Sequence, residues 1–432
     1  MMYNLERKAD FSEKFWLFSN YFFAMVSIFL MIVPIVQAPL LGGLYTLIMA
    51  TVMGGWFCTS YFLRPNWFFN GTICGVLAFL FIGIYVYFAL LGIGNAAEMF
   101  IMIAGPWYVF LVYYYYYYTD KKQALGSLGC VVFLAFAFTL FTTLLGLIEN
   151  PASYREFSSQ TDMIAENYFK NIGNVHHIYC SILIGTMLLC MLQGKCLKKC
   201  WVRVAAWIIV IICFCLALIC STGTVFVCAF LAPVLVILQN RTPATKFVVT
   251  IFSLAFLLFF KSVVGAWLQE AATHIENHYI SWKVYDMGSS LIGGEATGDM
   301  AARSDRWLWD LETFFNTYGL GVGSYYQGAG NGTYVVHEHS QLFSDMARYG
   351  FWFTAAMGVF YYKMAETIKK GFEKLNLNCK YTALYIIFFI MYVAQPVMLN
   401  FIIPTCILFM VPASPYIIDY VNQKTTRKLK RR

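Results

Sequence analysis

The feature that most constrains this chain is its division into apolar blocks of membrane-spanning length. Stretches 68–92, 125–148 and 222–238 contain no charged residue at all. A helix that crosses a bilayer needs about 20 mostly apolar residues. Lipid offers no partner for backbone N–H and C=O groups, so such blocks must close their hydrogen bonds internally as helices. Only 12% of residues are charged, where a soluble domain carries about 25%. The chain therefore reads as an all-α polytopic membrane protein. The first block follows a charged leader (Glu6, Arg7, Lys8, Asp10, Glu13, Lys14) and no small-residue cleavage site closes it, so it is expected to remain as a span.

Twelve transmembrane helices are predicted, near 16–36, 39–62, 68–92, 97–118, 125–148, 174–193, 201–220, 222–238, 246–264, 342–364, 381–399 and 400–418. The pairs 201–220/222–238 and 381–399/400–418 have almost no loop between them, so each reads as a hairpin or hides a re-entrant segment. With both termini inside, 23 of the 30 Lys and Arg residues fall on the inner side and 7 on the outer side, the bias that sets orientation. Residues 1–264 then hold spans 1–9, and 265–341 form one large extracytoplasmic loop between spans 9 and 10. Residues 342–432 hold spans 10–12 and a basic cytoplasmic tail. The net charge of +8 comes from short cytoplasmic loops and this tail, which suit membrane lipids as partners and not nucleic acid. The 13 cysteines contain no paired CxxC and read as small buried hydrophobes. The tyrosine run 113–118 ends a span and reads as an interfacial belt, with sugar stacking as the alternative.

Polar chemistry concentrates between residues 303 and 350. Trp307, Leu311, Phe314, Phe315 and Tyr318 share one face of a predicted surface helix. Ser304 with Asp305 reads as its start and Gly319 as its stop. Arg303 and Arg306, three apart, suit a diphosphate because each offers a bidentate fork and a fixed charge. Pairing with Asp305, Asp310 or lipid headgroups is the alternative. GLGVG (Gly319–Gly323) lacks the Lys-Ser/Thr of a phosphate loop and reads as a connection that allows close backbone approach. His337, Glu338 and His339 follow. The spacing of His339 with Leu342, Phe343, Met346 and Ala347 puts it on the apolar face of a helix, with Ser340, Gln341, Ser344, Asp345 and Arg348 elsewhere. A histidine at a membrane rim is a candidate base, or a core histidine satisfied by one hydrogen bond. His176 and His177 open a span and are candidates for the same cavity. His274 and His278, four apart around Glu276, have the spacing of two metal ligands on one helix face, but not the HExxH order.

Arg303 with Trp307 four residues on, GLGVG, the His-x-His pair and Gly350 together resemble the O-antigen ligase and polymerase family of lipid-linked polysaccharide enzymes. The resemblance covers the whole layout loosely and residues 303–350 specifically. It implies a bacterial plasma-membrane glycosyltransferase without metal or cofactor, acting on undecaprenyl-diphosphate-linked oligosaccharide. It implies a growing glycan as acceptor and other polysaccharide-assembly proteins as partners. Catalysis falls to His339, and substrate binding to Arg303, Arg306 and His337, with Glu338, Asp305 and Asp299 as further acid/base candidates. Three positions depart from the family: Val225 stands where a middle-span arginine is common, Phe353 replaces its second glycine, and Ser340 replaces an asparagine. The missing arginine leaves one diphosphate contact to Arg306, Arg155 or Lys261. Polymerase is favoured over ligase. A lipid-linked oligosaccharide flippase is the rival expectation, to be marked by charges and broken helices within the membrane. A membrane metalloprotease built on His274 and His278 is the other.

Overall fold

The computed structural model describes residues 2–40, 43–67, 96–149, 166–220, 223–275, 278–293, 299–322, 336, 339–398 and 401–429. All secondary structure among them is helical. Among the described residues six helices are long and apolar enough to cross a membrane: Ser12–Ile32, Leu44–Leu63, Lys122–Glu149, Val175–Gln193, Cys200–Ile219 and Ile402–Gln423. The chain is thus an all-helical membrane protein. The predicted span 68–92 lies outside the described residues.

In chain order the main helices are α1 (Met2–Ile32), α2 (Gly43–Leu63), α3 (Ala96–Tyr118), α4 (Lys122–Glu149), α5 (Val175–Gln193), α6 (Cys200–Ile219) and α7 (Gly223–Leu238). After them come α8 (Pro243–Thr273), α9 (His278–Ile292), α10 (Asp299–Asn316), α11 (Gln341–Lys374) and α12 (Thr382–Ala394). A turn of helix at Ile402–Pro404 and a π-helical segment Thr405–Met410 run into α13 (Val411–Leu429). The π segment relieves the strain of two prolines, Pro404 and Pro412, which cannot both keep regular helical bonding.

α5 is the axis of the bundle. Of its 18-residue apolar window 78% is buried inside the protein, against 28% for α6 beside it. Helices α6, α7 and α12 and the Ile402–Pro404 turn pack around α5. A second seam joins α13 to α4 and α11. There Gly126 and Gly129 admit the backbone of Tyr416 and the side chain of Ile417, because a Cβ on Gly126 would lie 2.6 Å from the Tyr416 carbonyl.

The tyrosine run departs from the interfacial reading. Tyr113, Tyr114, Tyr115 and Tyr116 are all buried within the protein, and only Tyr118 is exposed. The Tyr116 hydroxyl donates to Asn20 Oδ1 at 2.9 Å, and Tyr115 packs edge-on against Trp56 and Trp67. Helix–helix burial outweighs the interface preference because Tyr115 and Tyr116 find partners in Asn20, Trp56 and Trp67. Most cysteines are buried as expected, but Cys58 and Cys200 are exposed.

Residues 265–341, expected as a loop, are largely helical where described. α8 continues to Thr273 and α9 folds back along it. The turnover is possible because Gly265 and Gly288 meet backbone to backbone, each lacking a Cβ that would lie 2.6–2.7 Å from the other's carbonyl. Gln269 Nε2 donates to Ser289 Oγ at 2.8 Å, and Ser281 Oγ to the Ala272 carbonyl at 2.8 Å. This turnover also separates the two expected metal ligands. His274 caps the end of α8 and His278 begins α9, so they do not share a helix face.

Candidate functional site

The site is a junction of α10, α11, α12 and the first residues of α7. α10 begins at Asp299, five residues before the expected Ser304 start, and ends at Asn316. Beyond it Tyr318 and Gly319 both take left-handed φ values of 54° and 75°. The Gly319 amide donates to Phe314 at 2.9 Å, which closes the helix end at the predicted stop.

The GLGVG segment then locks onto α11. Gly350 sits inside α11 with φ 78°, so the helix is kinked there. A Cβ on Gly350 would lie 2.5 Å from the Leu320 carbonyl, and a Cβ on Gly321 (φ 82°) 2.6 Å from the Arg348 carbonyl. Both glycines are therefore required twice, by conformation and by space. The hydrogen bonds are exchanged, not lost. Ala347 O accepts from Val322 N at 2.9 Å, and Phe351 N donates to Gly319 O at 2.8 Å. A kinked helix would otherwise leave those two groups orphaned within the membrane protein. Val322, Val336 and Ala347 close a small apolar cluster under this lock.

His339 is not in the helix, contrary to the expectation from spacing. α11 starts at Gln341, with Ser340 as its N-cap accepting from Phe343 N at 3.2 Å. The cap motif fixes the chain direction, and His339 lies just ahead of it. There it meets α10. Arg306 Nη1 donates to Nε2 of His339, and the Trp307 indole N–H donates to the His339 carbonyl at 3.3 Å. Trp307 also packs on Phe343, with ring centroids 6.0 Å apart. A guanidinium only donates, so Nε2 is the accepting nitrogen in this contact. Two of the predicted site residues, 33 positions apart, are thus brought together. Arg303 is placed on α10 one turn before Arg306; its side chain, and all of His337 and Glu338, lie outside the described residues.

The polar residues of α11, expected off the bundle-facing side, are turned inward. In the first turns of α11 the polar Gln341, Ser344, Asp345 and Arg348 are buried, the last two only 1% and 2% exposed, together with Ala347 and Tyr349. On α10 Asp310 and Thr313 are buried, while Leu308 and Phe315 are 62% and 68% exposed. In lipid the apolar face is the one that needs no protein partner, so polar groups turn inward to find each other. Ser344 Oγ donates to Asp310 Oδ2 at 2.8 Å and ties α11 to α10. Asp345 accepts from Gln341 Nε2 at 2.8 Å and from the Tyr392 hydroxyl of α12 at 2.5 Å. The guanidinium of Arg348 lies 5.7 Å from the Tyr349 ring.

Gln341 and Gln395 tie the rest. α12 ends at Ala394 after 13 residues, about 20 Å of helix at 1.5 Å per residue and short of the hydrocarbon thickness. The predicted span 381–399 is therefore broken near its C-terminal end. Gln341 N donates to Gln395 O at 3.1 Å, and Met398 N donates to Gln341 Oε1 at 2.8 Å, so the break is satisfied. Gln395 Nε2 donates to Thr224 Oγ1 at 2.8 Å at the start of α7. Val225, at the family's arginine position, is fully buried beside it.

The network Asp310, Ser344, Gln341, Asp345, Arg348, Tyr392 and Gln395 was not singled out from sequence. The signal was present: polar residues at 341, 344, 345 and 348 repeat at helical spacing within an apolar stretch. His176 and His177 do not join it. His177 Nε2 bonds the Ile32 carbonyl at 2.9 Å and its Nδ1 takes part in the Asn174 capping box, so it fixes α5 to α1. Lys261, offered as a replacement cation, is exposed on α8, and Arg155 lies outside the described residues. Among the described residues there is no group of three or more His, Cys, Asp or Glu positioned to hold a metal ion.

No protein-family description, curated protein or solved structure matches this chain.

Proposed function

We propose that the chain is an integral-membrane glycosyltransferase that joins undecaprenyl-diphosphate-linked glycan repeat units during surface polysaccharide synthesis, as a polymerase. The observation that carries this reading is the contact between Arg306 and His339, a phosphate-binding fork held against a candidate base. The contact also suggests an order of events. While Arg306 donates to Nε2, that nitrogen is not available as a base. A diphosphate draws the guanidinium to its oxygens by bidentate, charge-assisted bonds, and Nε2 is released. The acceptor hydroxyl then gives its proton to Nε2 as its oxygen bonds the anomeric carbon. The carbon–phosphate oxygen bond breaks, its electron pair stays on the diphosphate, and Arg306 with Arg303 offsets the charge. The glycan transfers to the acceptor and undecaprenyl diphosphate leaves. In this reading α10 and the His339 segment lie at the outer face, both termini are cytoplasmic, and the chain has about twelve spans.

Gene deletion followed by sizing of surface glycan tests it. Loss of long chains with single repeats retained supports a polymerase. Loss of all attached glycan, with glycan held on the carrier, indicates a ligase. A flippase is the second reading, favoured by the buried Asp310, Asp345 and Arg348 beside the broken α12. Failure to deliver the carrier-linked repeat outward would select it.

A further inference from the structure

Beyond the glycan chemistry, a series of buried tyrosines runs through the bundle from the α10–α11 junction to its opposite end. It starts at Tyr392, whose hydroxyl donates to Asp345. The ring of Tyr361, on α11 below the kink, lies 5.9 Å from that of Tyr392 and 5.5 Å from Phe388. Tyr385 stands one turn before Phe388 on the same face of α12 and interacts electrostatically with Tyr113 of α3. Tyr113 stacks on Tyr117 at 5.7 Å, and Tyr117 lies 6.2 Å from Tyr416 of α13. Tyr416 lines a cleft of about 780 Å³ with Asp120, Lys121, Lys122, Asp419 and Tyr420, at the α3–α4 turn. There the hydrogen bond from Lys122 holds the exposed Asp120 carboxyl below its usual range.

The decisive detail is in the middle. The hydroxyls of Tyr361 and Tyr385 are buried and have no hydrogen-bond partner among the described residues. Phenylalanine would fill the same space without that penalty. Buried polar groups in native proteins are satisfied by protein or by internal water, and two such hydroxyls in one series mark where water is held. A hydroxyl both accepts and donates, so each passes a proton by taking one at oxygen and releasing its own.

We infer that Tyr392, Tyr361, Tyr385, Tyr113 and Tyr117 line a hydrated proton path connecting the cleft at the α3–α4 turn to Asp345, which is its proton-binding site. The charged and titratable groups around Asp345 are Arg348, Tyr349 and Tyr361 of α11, Asp310 of α10 through Ser344, and Tyr392 of α12. Arg348 is the cation that keeps a carboxylate tolerable there when the proton leaves. The inference does not require that the chain transfer glycans.

Infrared spectroscopy of the purified full chain tests it. The protonated carboxyl band of Asp345 is titrated in by lowering pH and assigned by its loss in Asp345→Asn. If that variant does not fold, Asp345→Glu assigns the band by shifting it. On transfer to deuterated water, the double variant Tyr361→Phe/Tyr385→Phe is expected to slow exchange of that band by about tenfold or more. Tyr108→Phe, whose hydroxyl is already satisfied by Ser27 at 2.9 Å, is expected to leave the rate unchanged. The inference is overturned if no band belongs to Asp345 at any pH the fold survives. It is equally overturned if the double variant exchanges at the wild-type rate, or if Tyr108→Phe slows exchange as much.

Discussion

Two of the polar clusters buried among the described residues are built differently. Around Asn20, α1 meets α2 and α3. Asn20 Nδ2 donates to Thr59 Oγ1 and Ser60 Oγ, both at 3.0 Å, and Oδ1 accepts from Tyr116. Every member is neutral, and Thr59 and Ser60 return their protons to carbonyls of their own helix. The cluster at α10–α11 instead gathers Asp310, Asp345 and Arg348, and its helices are interrupted at Gly350 and after Ala394. A neutral, closed network fastens helices together. Charges are costly to bury, and a chain that keeps them beside broken helices keeps them for a task. The difference separates scaffold from site without reference to any relative.

The comparison breaks first at His339. His339→Ala is expected to insert normally and to cut glycan transfer by about 10²–10⁴-fold, the usual contribution of a general base. Asn20→Ala should leave transfer per inserted molecule unchanged. Glycan sizing against membrane-inserted protein measures both, and equal losses would erase the distinction drawn here.

The next effect concerns the glycine lock. Gly350→Ala must place a Cβ 2.5 Å from a backbone carbonyl at positive φ, so a loss of at least about 1–3 kcal/mol is expected from backbone strain alone. Gly54→Ala, in α2 with open space around it, should instead gain about 0.5–1 kcal/mol. Thermal unfolding in detergent compares them, and equal melting temperatures would show that the lock does not hold.

Asn20→Ala itself orphans the buried Tyr116 hydroxyl, since Thr59 and Ser60 keep their carbonyl acceptors. Its cost is expected at about 1–3 kcal/mol, and Tyr116→Phe in the same background should recover part of it. Absence of coupling in that double-mutant cycle would show that the hydrogen bond contributes nothing. The smallest effect is expected at Lys370→Ala. Its ion pair with Glu366 is exposed on α11, and no change in melting or transfer is anticipated.

The positions of most helices were legible because apolar length is a local property. The start of α5 near 174, the end of α3 at Tyr118 and the stop near Gly319 follow from blocks and turn residues alone. Sidedness was not. For α11 the spacing reads the apolar stripe as the inward face, a rule that holds in water, and α10 reads as a surface helix with its aromatic face toward the membrane. Here lipid accepts Leu308 and Phe315, so Asp310, Ser344 and Asp345 turn inward. His339 was placed on a helix because Leu342, Phe343 and Met346 extend its periodicity, whereas Ser340 is a stronger local signal as an N-cap. The tyrosine run was misread because the partners of Tyr115 and Tyr116 come from Trp56 and Asn20, far off in sequence. The contact of Arg306 with His339 was not legible, because nothing in the spacing of two residues 33 apart encodes it.

The exchange of hydrogen bonds at Gly350 also has a consequence for how the chain is made. The stretch after the kink, 351–362, carries no charge and can enter the bilayer as it leaves the ribosome. The turns before it carry Gln341, Ser344, Asp345 and Arg348, and the partners of Asp345 and Gln341, Tyr392 and Gln395, are synthesised some 50 residues later. A membrane-insertion machine reading α11 alone therefore has reason to take its second half and leave the first at the surface. A nascent chain halted at Lys380 is expected to expose a cysteine placed at Ser344 to an impermeant thiol reagent, and release of the complete chain is expected to shield it. Biogenesis would then finish at the α10–α11 junction last, closing it only when the downstream helix arrives.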